Sequence, residues 1–443
     1  MDKVAIIIAL KNSGGYIKKT IDSIYNSTNY PFKIIIVEVN STDGTKELCD
    51  ELAKQHKEIE VYHLDWDKPP QAAINYGIKK AGNLDVFITH DDVIIPKLEE
   101  MDWLEELVSE IKEGWGAITG EAGGGTSGPE YLEGQNWQGT WCLYLPRSTI
   151  DKVGLFDENM TMGDDIDYSY RINQAGMELG RLRRFWVDHH RQNRGPTDEN
   201  ITDKVTENGI YFKKKHKLHG LIVFMPVYND LEPFREAVRT LFESTNQMFE
   251  LIILDGGSTD GSLEFAKSLI KQYPKRVIIF EKNTKTPLEA YNFGFDLAKK
   301  YVSDILFIQT DVVFPRMYKT DWLAGMREIS SEDGVGAIIP INGGGTSGKD
   351  YINGFEWVGG WCTYFPFRTI EKLGGFDKSY PNGYGVDIDY SYAIRQVGLK
   401  IQKVNYWVHH HMNNKRTHDK ASDTEEQKRL SAEYFRKKWK IKG

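Results

Sequence analysis

Only three cysteines, Cys49, Cys142 and Cys362, occur in the 443 residues, and none is placed to form a CxxC zinc pair or a disulfide framework. A reducing, cytoplasmic setting is the expectation. No apolar run approaches the roughly 18 residues that a membrane helix needs, so no membrane span is expected, and peripheral contact with a membrane stays open. The first apolar run, Val4 to Leu10, is cut short by Lys11-Asn12-Ser13-Gly14 and lacks a small-residue cleavage site, which predicts a strand and not a signal peptide. Low-complexity tracts are missing too. With 40% hydrophobic and 27% charged residues, the whole chain is expected to fold. There is no excess of positive charge: the formal net charge of -8 gives no general attraction to nucleic acid or to anionic lipid, so an anionic ligand must be held by local groups.

What the chain does contain is a second copy of itself. Ser41-Thr42-Asp43-Gly44 returns as Ser258-Thr259-Asp260-Gly261, and the run Gly123 to Gly128 (GGGTSG) returns unchanged as Gly343 to Gly348. Trp141-Cys142 matches Trp361-Cys362, and Asp165 to Tyr170 (DIDYSY) matches Asp387 to Tyr392. Trp186-Val187 followed by His189-His190 matches Trp407-Val408 followed by His410-His411. The order is kept throughout, and the offset drifts by only a few residues, as small insertions in surface loops allow. Each copy is long enough to enclose its own core, which predicts two whole domains, residues 1–218 and 219–443, and not a solenoid.

Within each copy, apolar runs of strand length alternate with helical patterns, the signature of a mainly parallel sheet covered by helices. In the first copy strands are expected at Val4 to Leu10, Lys33 to Val39, Glu60 to Leu64 and Asp85 to Thr89, and helices at Tyr16 to Ser27 and Pro70 to Ala81. A strand is also expected at Trp186-Val187, and a terminal helix ending at Lys215 to Lys217. Ligands of such sheets sit beyond the carboxyl ends of the strands.

The acids at those ends are the candidates for chemistry. Glu38 and Asp255 end matching strands, where a carboxylate can accept the N–H of a nucleobase. Asp43 and Asp260, just after them, are better explained as helix caps. Asp91 and Asp311 follow the next strand; together with His189 and His410 they could hold a Mn2+ or Mg2+ ion against phosphate oxygens. Arg194 and Arg416, beyond the histidines, add positive charge for a nucleotide. Asp165 and Asp387 lie in the first turn of a helix, a position that suits the helix dipole and equally suits removal of a proton from an acceptor hydroxyl. The GGGTSG runs are expected to be tight loops near the ligand, and about half of Trp137, Trp141, Trp357 and Trp361 are expected in cores.

This constellation resembles family 2 glycosyltransferases and their relatives of the GT-A type, over nearly all of both copies. Met225-Pro226-Val227-Tyr228-Asn229 is similar to that family's opening strand motif, Leu254 to Gly261 to its second, and Leu373-Gly374-Gly375-Phe376-Asp377 to the segment before its catalytic acid. The metal motif departs from the family, with Thr89 and Gln309 in place of its first aspartate. The resemblance implies an α/β chain of two tandem GT-A domains, Rossmann-like and of the nucleotide-diphospho-sugar transferase type. It implies transfer of a sugar from a nucleotide-diphosphate donor, UDP favoured, to the hydroxyl of a carbohydrate or glycosylated acceptor. Asp165 and Asp387 become the bases of a metal-assisted, inverting reaction, and Asn12 and Asn229 join the nucleotide site. The alternatives are one catalytic copy beside a degenerate acceptor-binding or scaffold copy, and a non-catalytic carbohydrate-binding protein. A nucleotidyl transferase would instead carry a basic glycine-rich loop after the first strand, and Asn12-Ser13-Gly14-Gly15 is not one. No motif speaks to the oligomeric state.

Overall fold

The runs Val4–Leu10 and Gly220–Val227 are apolar almost without alternation, so each must be covered on both faces, and each becomes a central strand of its own sheet. A computed structural model describes the chain except residues 1–2, 122, 129, 133, 190–200, 275, 285, 315–320, 381–382, 407, 411–420 and 442–443, and the side chains of 201–203, 409–410 and 421–424. It separates into two compact units, Met1–His216 and Lys217–Gly443.

In the first unit seven strands lie in the order Glu178–Leu182, Trp115–Gly120, Cys142–Leu145, Val86–Thr89, Val4–Leu10, Phe32–Val39 and Ile59–Leu64. All neighbours are parallel except around Cys142–Leu145, which runs antiparallel to both of its partners. The second unit repeats this order: Lys400–Val404, Val335–Pro340, Cys362–Phe365, Ser303–Ile308, Gly220–Val227, Glu250–Asp255 and Val277–Glu281. Again only the strand Cys362–Phe365 is antiparallel to its neighbours.

Each sheet has a core on both faces. In the first unit Ile6, Ile8, Ile34 and Ile36 pack on one side with Trp103, while Ala5, Ile7, Ile35 and Val37 pack on the other against the helix Pro70–Ala81. That helix lies so close to the sheet that a Cβ at Gly77 would come within 2.6 Å of Ile7 Cγ2, which is why a glycine stands there.

The terminal helices, Ile201–His216 and Ala421–Trp439, are fastened by a buried acid. Asp167, fully buried, accepts hydrogen bonds from Arg171 Nε (2.8 Å), Lys215 Nζ (2.7 Å) and His216 Nε2 (2.7 Å). Asp389 does the same for Lys438 Nζ and Trp439 Nε1, both at 2.7 Å.

Three expectations need correction. Trp186-Val187 is not a strand; the two-residue strand is Asp188–His189, and Trp186 is 51% exposed. Asp43 and Asp260 are not the caps of their helices. Gly44 and Gly261 hold those positions at φ 87° and 94°, conformations in which a side chain is strained. The aspartates, one residue earlier, still accept the first amide of each helix, from Thr45 and Ser262, while their other oxygens accept from Gly14 and Leu231 in the loop after the first strand. The GGGTSG runs are hairpins and not isolated loops: Gly124–Thr126 pairs with Asn136–Gln138, and Gly344–Thr346 with Glu356–Val358.

Candidate active sites

In both units the loop after the first strand is tied to the loop after the second. The Asn12 amide donates to Ser41 Oγ (2.9 Å), and Asn12 Oδ1 accepts from the Thr42 amide (2.8 Å). Asn229 makes the same pair of bonds with Ser258 Oγ (3.1 Å) and the Thr259 amide (2.7 Å). Both asparagines have positive φ, 56° and 48°, which Asn tolerates better than most residues.

The acids beside them differ between the copies. Glu38 is 2% exposed and accepts from the Ser41 amide (2.6 Å), while His63 Nδ1 lies 2.9 Å from its other oxygen. Burial alone would raise the Glu38 pKa, but the bonds from His63 and Ser41 outweigh it and hold the group below its ordinary value. Asp255, also 2% exposed, spends one oxygen on the Gly257 and Ser258 amides at 2.9 and 3.1 Å. Its Oδ1 is buried with no hydrogen-bond partner among the described residues. A cavity of about 520 Å3 lies at this strand end, lined by Leu254, Gly256, Tyr228, Thr286, Tyr291 and Asp311.

In the first unit the histidine is brought to the acids by strand pairing. Asp188–His189 runs antiparallel to Val93–Ile94, with His189 opposite Val93. His189 Nε2 then lies 3.3 Å from Asp92 Oδ1, and its ring stacks on Trp141 at 4.9 Å. One ligand atom each of His90, Asp92 and His189 falls within a 4.8 Å group, a set able to hold a metal ion. Asp91, expected as the ligand, is 3% exposed and is not in that group. His90 and Asp92 had no assigned ligand role; the signal for them was their place two apart at a strand end, beside a histidine whose pairing partner the sequence does not state. At the matching positions of the second unit stand Thr310 and Val312. His410 pairs through its backbone with Val312, and its side chain lies outside the described residues, as do Arg194 and Arg416.

Asp165 and Asp387 sit in the first turn of matching helices, Asp164–Gln174 and Val386–Gln396, each preceded by a glycine with positive φ. Both are partly exposed, and each accepts the amide of the next residue, at 2.9 and 3.0 Å. Burial, and then the charge of Asp164, push the Asp165 carboxyl up to about 7. Asp387 is raised by burial to about 6. The buried acids two residues on are committed elsewhere: Asp167 and Asp389 fasten the terminal helices, so neither is open to a substrate.

A twice-repeated, mainly parallel sheet flanked by helices, with acids at the strand ends, makes the chain a tandem α/β protein. The model of the family "Glycosyl transferase family 2" matches residues 5–159 and again 222–378, and the chain belongs to that family, with its domain present twice. An uncharacterized glycosyltransferase of Rickettsia felis is 24% identical over 382 residues, covering 70% of this chain and 61% of the relative. One of Rickettsia bellii is 33% identical over 375 residues, covering 70% and 53%. The chain therefore spans about half to three-fifths of the length of these relatives. Among solved structures, residues 1–349 of S. aureus TarS in complex with UDP-GlcNAc are similar at 16% identity, with 47% of this chain and 66% of that one covered and a TM-score of 0.36. No described helix is long and apolar enough to cross a membrane.

Proposed function

We propose that each unit transfers a sugar from a nucleoside-diphosphate donor, UDP favoured, to an acceptor hydroxyl with inversion. The observation that carries this reading is the end of the strand Glu250–Asp255. Leu254 and Gly256, on either side of Asp255, line one cavity with Asp311, and Asp255 Oδ1 is buried with no hydrogen-bond partner among the described residues, in the unit whose helix start carries Asp387 raised to about 6. Asp255 accepts the N–H of the base, and Glu38 is its counterpart in the first unit. Asn12 and Asn229 hold the crevice floor, and Arg194 and Arg416 contribute charge near the diphosphate. Asp165 or Asp387 takes the proton of the acceptor hydroxyl as its oxygen bonds to the anomeric carbon. The bond from that carbon to the diphosphate breaks, and its electron pair leaves with the nucleotide. A carboxyl near 6 or 7 is half or more ionised at neutral pH and still basic enough to be an efficient acceptor.

Two imidazoles and a carboxylate suit a first-row divalent ion such as Mn2+ better than Mg2+, which prefers oxygen alone. His90, Asp92 and His189 would hold it in the first unit, with Asp91 adjacent; when bound, such an ion offsets the charge of the departing diphosphate. In the second unit Asp311 and His410 remain for that role. The replacement of His90 and Asp92 by Thr310 and Val312 favours a reading in which only the first unit depends on metal. Calorimetric titration of UDP tests the scheme. Binding to wild type that Asp255→Asn weakens at one of two sites supports it, and binding untouched by both Asp255→Asn and Glu38→Gln refutes the assignment of the base-binding acids.

A further inference from the structure

The two units differ at a place that the sugar-transfer chemistry does not use. In the first, Asn75 on the helix Pro70–Ala81 is fully employed: its Nδ2 donates to Phe156 O (2.8 Å) and Glu158 Oε1 (3.0 Å), and its Oδ1 accepts from the Phe156 amide (2.9 Å). Its counterpart Asn292, 4% exposed on the helix Pro287–Tyr301, has no partner for either Nδ2 or Oδ1 among the described residues. Three replacements accompany this. Lys378 stands where Glu158 does, so the acceptor is lost. Gly375 stands where Leu155 does, and the Asn292 amide fills the space of the missing side chain, since a Cβ there would lie 2.2 Å from Asn292 Oδ1. Tyr380 stands where the buried, apolar Met160 does, and its hydroxyl, in a residue 4% exposed, likewise has no partner among the described residues. The loop from Asp377 to Gly385 is also two residues longer than that from Asp157 to Gly163.

Unpaired buried polar groups are costly, and the two residues that carry them line one cavity, where a ligand can complete them. Such a cavity exists, of about 480 Å3, lined by Asn292, Tyr380, Lys378, Phe293 and the carboxylates of Glu289 and Asp296. Its volume is ordinary for a small-molecule site. Two lysines, Lys282 and Lys378, balance the two carboxylates, so the lining selects for hydroxyl groups and not for net charge. An amide, a phenol, carboxylates and the Phe293 ring form a lining suited to a sugar ring. Thr286 lines this cavity and also the one beside Asp255, and Gly383 places it four residues before Asp387.

We propose that this cavity is a second, saccharide-binding subsite, built into the second unit only, that holds a neutral sugar residue of the acceptor. The proposal rests on the transferase reading above for the word acceptor, and on the cavity alone for the binding. The hydrogen-bonding capacity of Asn292 and Tyr380 that no described residue uses is what a sugar hydroxyl would take up.

Saturation-transfer NMR and calorimetry on the full chain, with glucose, galactose, N-acetylglucosamine, cellobiose and lactose as probes, test it. Binding of at least one of them to wild type is expected. Lys378→Glu, which restores the acceptor that Glu158 gives Asn75, and Tyr380→Phe, which removes only the hydroxyl, should each weaken that binding at least fivefold and leave UDP affinity unchanged. Asp255→Asn should weaken UDP binding and leave the sugar in place. Because Tyr380→Phe keeps the ring packed on Tyr434, it guards against a variant that merely unfolds. UDP binding with no bound sugar, or sugar binding equal in wild type and both variants, overturns the subsite and leaves the transferase reading standing. Sugar binding without UDP binding supports the subsite and counts against the transferase reading.

Discussion

The sharpest consequence of the two sites is that they should work over different pH ranges for a traceable reason. Burial pushes both carboxyls up, Asp165 to about 7 and Asp387 to about 6, and the identified difference in surroundings is the charge of Asp164, whose counterpart is the uncharged Val386. One pKa unit corresponds to about 1.4 kcal/mol, a reasonable interaction for two neighbouring, partly desolvated carboxylates. The units can be read separately by silencing one base at a time and following UDP release from a UDP-sugar, which needs no identified acceptor. With Asp387→Asn, the first unit should lose activity below a midpoint of about 7, so that roughly a tenth of its plateau rate survives at pH 6. With Asp165→Asn, the second unit should keep about half its plateau rate at pH 6. Adding Asp164→Asn to the first-unit form should move its midpoint down by about one unit. The amide can still accept the bond that Gln71 gives to Asp164, so the local structure should hold. Coincident midpoints in the two forms, or a midpoint that ignores Asp164→Asn, would refute the reasoning.

Because the folded pKa of Asp165 lies above its ordinary value of 3.8, the fold favours the protonated form, and stability is lost as pH climbs from about 4 to about 7. Asp165→Asn should therefore raise the melting temperature at pH 8 and change it little at pH 4, with scanning calorimetry as the check. Asp167→Ala leaves Lys215, His216 and Arg171 without their shared partner and should destabilise the first unit by about 3–5 kcal/mol in denaturant unfolding; a loss under 1 kcal/mol would mean that the terminal helix is held by other contacts. Chelation with EDTA should suppress UDP release by the first unit and spare the second, and His189→Ala should reproduce the chelator's effect; equal sensitivity of the two units would contradict the assignment of His90, Asp92 and His189.

Much of this was legible in the chain. The repeat itself, the near-continuous apolar runs that must become buried parallel strands, and the acids at strand ends are local or periodic features, and such features survive without knowledge of what packs against them. Glu38, Asp255 and Asp311 lie at the strand ends where the pattern put them, and Asp165 and Asp387 lie in a helix first turn. Tertiary structure decided the partners. His189 meets Asp92 and His90 because a two-residue strand, mistaken in the sequence for Trp186-Val187, pairs with Val93–Ile94 some ninety residues earlier, and register across such a distance is set by packing and not by local propensity. His63 claims an oxygen of Glu38, while the equivalent Asp255 keeps one without a partner among the described residues, a difference that near-identical motifs conceal. Asn75 and Asn292 occupy the same step of the same repeat; only the fold reveals that Glu158 satisfies the first and that Lys378 leaves the second to something else. A residue's type and spacing follow from the chain alone, but whether its hydrogen bonds are already spent depends on neighbours that only folding brings within 3 Å.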